Sequence, residues 1–184
     1  MRTLPGMAIV PDDKDWTWVL RERCPDCGHA AGEVPYGEVA AELRATASRW
    51  WQILRQPGVA LRPEPDVWSP LEYGCHVRDV FAMGVYRISK MLWEDDPTFL
   101  SWDQDAASID DRYLEQDPAV VADQLVTSAE SLACLLEGVR PDHWDRAGTR
   151  SDGARFTAGS FAQYVLHDPL HHEWDVRAVV RSSV

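Results

Sequence analysis

Two proline-marked helix starts constrain this chain more than anything else in it. Ser69-Pro70-Leu71-Glu72 offers a capping serine, proline at the first helical position and a glutamate three residues past the cap. Asp117-Pro118 repeats the cap-plus-proline pattern. The first start predicts a helix to about Trp93, with Val77, Phe81, Gly84, Ile88 and Met91 on one stripe. The second predicts a helix closed by Gly138, with Val121, Leu125, Ser128, Leu132 and Leu135 inside. Upstream, Val39, Leu43, Thr46, Trp50, Ile53 and Leu54 keep helical spacing over about 37–56, and Pro57-Gly58 stops that helix. Thr157 can cap a fourth helix reaching about Val180. Four long helices with no alternating strand segments predict an all-α fold, a four-helix bundle with long connecting loops.

Residues 1–36 are rich in Pro, Gly and charge, and predict an irregular arm that packs Trp16 and Trp18 onto the bundle domain, 37–184. The acidic stretch 95–116 and the segment 139–156, with its turn Ser151-Asp152-Gly153, read as loops. Loops of that length tend to be functional.

A net charge of −12 argues against nucleic acid and anionic membrane surfaces, both of which select Lys and Arg. No signal peptide is read at Met1–Gly6, and no run approaches the ~18–20 apolar residues of a spanning helix. Four cysteines do not make a disulfide framework, so the expectation is a cytoplasmic protein with reduced thiols. Nine tryptophans are expected in the core or in pocket walls.

The chemistry-bearing residues cluster on the last helix. His167 and His171 are four apart, one helical turn, and can reach one metal ion. His76, on the second helix, is a third candidate, and three imidazoles leave an open position for chemistry. His172 falls on the core side of the helix and reads as a packed histidine with one hydrogen bond. Asp79 and Asp175 could orient ligand imidazoles or be solvated charges, and Asp168 reads as exposed. Pro169, between the two histidines, removes one backbone hydrogen bond and predicts a kink. Cys24-Pro25-Asp26-Cys27-Gly28-His29 resembles half of a zinc ribbon, but only His29 offers itself nearby as a further ligand. A surface turn with two reduced thiols is the default there. Trp102-Asp103-Gln104-Asp105 could border the site but reads first as a solvated loop, and Arg150 and Arg155 could hold a substrate carboxylate. No nucleophile elbow, phosphate-cradling loop or dinucleotide fingerprint is present.

Over residues 37–181 the chain resembles the DinB-like metalloprotein superfamily, which includes thiol S-transferases and mycothiol-dependent maleylpyruvate isomerase. The resemblance rests on Trp68-Ser69-Pro70-Leu71-Glu72-Tyr73-Gly74-Cys75-His76 and His167-Asp168-Pro169-Leu170-His171. The family pattern is one histidine from the second helix and an H-x-x-x-H or E-x-x-x-H pair from the last, which implies His76, His167 and His171 as metal ligands. The resemblance further implies a divalent ion, zinc or nickel, and a low-molecular-weight thiol such as mycothiol joined to a small electrophile. Isomerase or hydrolase chemistry on the same site, and a non-catalytic metal-binding bundle, remain open alternatives. Bundles of this kind often form homodimers, and no interface is legible in the sequence.

Overall fold

The structure, a computed structural model, describes residue 9 and residues 14–182, without the side chains of 178–182. The start of the expected arm (residues 1–8 and 10–13) and the stripe positions Ala178 and Val179 lie outside the described side chains. Among the described residues there are five α-helices: α1 Tyr36–Leu54, α2 Pro70–Trp93, a short α3 Gln104–Asp110, α4 Pro118–Glu137 and α5 Ala158–Ser182.

The starts are fixed where the caps predict. Ser69 Oγ accepts from the Glu72 amide at 3.2 Å, and the Glu72 carboxylate accepts from the Ser69 amide at 2.9 Å, closing a capping box. Asp117 accepts from the amides of Ala119 and Val120. At α5, Thr157 Oγ1 accepts from the Ser160 amide while Ser160 Oγ accepts from the Thr157 amide. Helix α5 continues through Pro169, with Trp50 Nε1 donating to the Pro169 carbonyl at 2.9 Å.

The four long helices pack as a square in which α1 and α2 each lie against both α4 and α5. Chain neighbours α1 and α2 therefore sit on a diagonal, and long connections are needed to reach the correct sides. Trp50, Phe81, Leu125, Leu132 and Phe161 fill the centre. Each such side chain contributes ~1.5–3 kcal/mol by leaving water. By length and composition α4 could cross a membrane, with mean hydropathy 1.4 over its best window, contrary to the sequence expectation. Its buried face, Val121, Leu125, Leu132 and Leu136, is instead covered by α1 and α2.

The two expected loops carry more structure than their composition signals. Residues 95–116 contain strand β1 (Thr98–Phe99), α3 and a 3-10 turn at Tyr113–Glu115. Residues 139–157 contain β2 (Ala147–Arg150) and β3 (Arg155–Thr157), joined by a turn with Gly153 at φ +94°. β1 pairs parallel with β2, and β2 antiparallel with β3. Strands of two to four residues leave too little alternation to read from sequence. Arg146 ties this sheet to the bundle by donating to the Met91 and Glu94 carbonyls at the end of α2. The arm is built of two 3-10 turns, Trp16–Leu20 and Ala31–Glu33, both packed on α5. Gln163 on α5 donates to the Val34 carbonyl at 2.7 Å.

Candidate metal centres

Among the described residues, two groups of potential ligand atoms lie within 4.8 Å of one another. One is Cys24, Cys27, His167 and His171; the other is His76, Asp168 and His172. Of the expected ligands His76, His167 and His171, the helical pair falls in the first group and His76 in the second, and all three line one cavity. The reason is rotation. Residues 168 and 172 are also four apart, one step round α5 from 167 and 171, and that step turns them toward α2.

In the second group, His76 Nε2 lies 3.3 Å from Asp168 Oδ2 and 3.2 Å from Oδ1, and His172 Nε2 lies 3.8 Å from Oδ1. His172 Nδ1 is held by Asp175 Oδ2 at 2.8 Å, which fixes the tautomer and aims Nε2 at Asp168. Trp102 stacks on the His76 ring at 5.3 Å, and Trp68 lies at 5.5 Å. Burial opposes ionisation of Asp168, but His76 and His172 beside it hold its carboxyl below the ordinary range. His172 keeps the single close hydrogen bond expected of it, to Asp175, and its ring also stands with His76 and Asp168 in the second candidate group. Asp168 is half-buried rather than exposed, and Asp175 serves His172 more closely than His171. Asp79 accepts from Arg78 and Tyr113, away from His76.

This group lies on the wall of a cavity of about 550 Å³. Val80, Met83, Phe161 and Val165 supply apolar lining; Arg87, Arg150 and Tyr164 supply polar groups. Trp102, Asp103, Gln104 and Asp105 also face it, so the acidic stretch borders the site rather than being a plain solvated loop. Arg87 is 6% exposed, with its Nε buried and lacking a hydrogen bond. Burial, and then the nearby Arg150, lower its pKa to about 10. Arg150 is paired with Asp152 and reaches Tyr164, whereas Arg155 points away to Asp96. Of the two arginines expected to hold a carboxylate, only Arg150 is at the cavity.

The first group joins the arm to α5. Cys24 Sγ lies 3.5 Å from His171 Nδ1, and Cys27 Sγ lies 3.6 Å from His167 Nε2. Cys24 is buried and Cys27 half-buried, so the expected surface turn is an inward-facing one. Burial pushes the Cys27 thiol up to about 11 and the His167 imidazole down to about 4, and lowers His171 as well. Both imidazoles are consequently neutral at pH 7, the form that binds metal. His29 stands outside the group, 6.3 Å from the His167 ring, with its Nε2 buried and lacking a hydrogen bond. The missed signal is the sum of two motifs: C-x-x-C at 24–27 and H-x-x-x-H at 167–171 together give a four-ligand pattern.

The fold and these donor sets define a helical-bundle protein with His, Asp and Cys clusters of metal-binding type. A family model, the DinB superfamily, matches residues 42–174, and the chain belongs to that superfamily. YfiT from Bacillus subtilis, a four-helix bundle of unusual topology, superposes with a TM-score of 0.68 at 17% identity. The match covers 80% of this chain and 85% of that one. No curated protein sequence matches the chain.

Proposed function

We propose that the chain is a metal-dependent enzyme whose reacting centre is His76, Asp168 and His172 at the 550 Å³ cavity. One observation carries the reading: Asp168 Oδ1 is buried and makes no hydrogen bond, although two imidazole nitrogens lie within 3.8 Å of it. A buried carboxylate oxygen left in that state is costly unless a cation shares it. Two imidazoles and one carboxylate, with a cavity alongside, match the donor set of catalytic rather than structural sites. A divalent ion held there would acidify a thiol or a water at its open position, so that either reacts as an anion near neutral pH. Zinc and nickel both suit imidazole and carboxylate donors.

The remaining groups favour one kind of substrate. Arg87 and Arg150 place two guanidinium groups at one cavity and favour a small electrophile bearing a carboxylate. Val80, Met83 and Trp102 exclude water from its apolar part. Asp175 keeps His172 aimed. Within this frame the favoured reaction is transfer of a low-molecular-weight thiol, mycothiol or an analogue, with a C–S bond forming as the leaving group departs. YfiT, described as a probable metal-dependent hydrolase, favours water as the nucleophile for a second reading.

Purified protein loaded with zinc or nickel should be incubated with acidic electrophiles, with and without a thiol panel. Thiol-dependent product formation that disappears in Asp168→Ala supports transfer. Product formed without thiol supports hydrolysis. Equal activity in wild type and Asp168→Ala refutes both.

A further inference from the structure

We infer that Cys24, Cys27, His167 and His171 form a closed structural zinc site that clamps the N-terminal arm onto α5. Neither the family match nor the reading of the cavity requires it, since residues 24 and 27 precede the matched segment 42–174.

Two of the donor distances match those of a zinc shell. Tetrahedral zinc with Zn–S near 2.3 Å and Zn–N near 2.05 Å sets sulfur and nitrogen ligands about 3.6 Å apart. The two S···N distances across the site are 3.5 and 3.6 Å. The four donors come from an arm and a helix more than 130 residues apart, and all lie within 4.8 Å of one another. Chance seldom brings two thiols against two imidazoles in a buried place, where unpaired polar atoms are costly.

The local backbone is shaped to present the thiols. The Gly28 amide donates to the Cys24 carbonyl at 2.9 Å, and the Cys24 amide to the His29 carbonyl at 2.9 Å. Gly28 sits at φ +74°, where a side chain would be strained. Arg23 fastens the loop through the Gly28 carbonyl at 2.7 Å. On the other side, one helical turn stacks the His167 and His171 rings 5.3 Å apart. Trp16 covers them, 4.9 Å from His171 and 5.8 Å from His167.

Two thiolates balance the charge of Zn²⁺, so the buried complex is neutral. Its formation displaces two thiol protons to solvent and changes no oxidation state. Four protein ligands leave no position for a substrate, so this site holds structure. The site adjoins the cavity: His167 and His171 are among its lining residues, as are Lys14 and Trp16 from the clamped arm.

X-ray absorption at the zinc edge of the untagged, full-length protein tests this directly. The expected shell has two sulfurs and two nitrogens. Metal analysis after chelator dialysis should find about one equivalent of zinc retained in wild type, His76→Ala and Asp168→Ala, and lost in Cys27→Ser. Should Cys27→Ser fail to accumulate, cobalt substitution of the wild type replaces it, with a thiolate-to-cobalt charge-transfer band expected. A sulfur-free shell overturns the assignment, as does a zinc-free native protein whose Cys24 and Cys27 are joined in a disulfide or react freely with a thiol reagent. Zinc retained in Asp168→Ala alongside lost turnover separates this site from the reacting centre.

Discussion

His171 and His172 are consecutive in the chain, yet their rings stand 73° apart and address different partners. His171 Nδ1 faces Cys24 at 3.5 Å, whereas His172 Nε2 faces Asp168. A helix turns about 100° per residue, so neighbours must point to different sides. The same division separates His167 from Asp168. One turn of α5 therefore contributes to two clusters of candidate ligands that share no residue.

That division should be visible in variants. His172→Ala is expected to reduce turnover by more than about 100-fold, exceeding the effect of losing a mere orienting partner. Circular dichroism and the thermal midpoint should change little. Unfolding of this variant would place His172 among structural residues instead.

Asp175 Oδ2 holds His172 Nδ1 at 2.8 Å and lies 3.9 Å from His171 Nε2. Asp175→Asn should weaken metal affinity about 10- to 100-fold. Competition against a chromophoric chelator reads this directly, and unchanged affinity would remove Asp175 from the account.

Arg150 is one of the two cavity arginines proposed to meet a substrate carboxylate, and its Nη1 reaches toward Tyr164 rather than Asp152. A charge-assisted hydrogen bond contributes about 1.5–3 kcal/mol, so Arg150→Ala should raise KM for acidic substrates about 10- to 100-fold. KM for uncharged analogues should stay near its wild-type value. A uniform fall in kcat for both classes would contradict the assignment.

On the far side of the bundle, Arg44 bridges Glu130 and Glu137, and its hydrogen bonds hold the Glu130 carboxyl down at about 2. The folded pKa lies below the ordinary 4.5. The pairing therefore supports the fold above about pH 4.5 and is lost as pH falls toward 2. In Arg44→Ala the Glu130 titration midpoint, followed by NMR, should rise toward 4.5. Both groups are solvent-exposed, so the effect belongs to titration more than to stability.

Gly84 on α2 faces Leu132 of α4 and Val165 of α5. A Cβ there would lie 2.9 Å from a Leu132 methyl and 3.4 Å from Val165. Gly84→Ala should lower stability by the overpacking of Leu132, about 1–3 kcal/mol, less the ~1 kcal/mol that alanine gains over glycine in a helix. Urea unfolding would show a lower midpoint with an unchanged slope.

Much of the bundle is legible in the sequence because helix caps and stripes are local. Ser69 and Glu72, Asp117 and Pro118, and the α2 stripe from Val77 to Met91 need no distant partner to declare themselves. The strands at Thr98–Phe99 and Arg155–Thr157 do not, because segments of two or three residues become strands only when something pairs with them. The metal-binding character of α5 is equally local, since two histidines one turn apart suffice to indicate it.

What each histidine binds is another matter. The sequence by itself determined that His167 and His171 share one face, that His76 lies about two turns into α2 and that Cys24 and Cys27 form a tight turn. Only the tertiary structure decided that the arm lays its thiols against His167 and His171, and that α2 brings His76 to Asp168 and His172. The physical reason is that helical periodicity fixes angles around one axis. Which neighbour lies at each angle depends on how the arm, α2 and α5 pack, and that packing is set by contacts between residues some 90 to 150 positions apart.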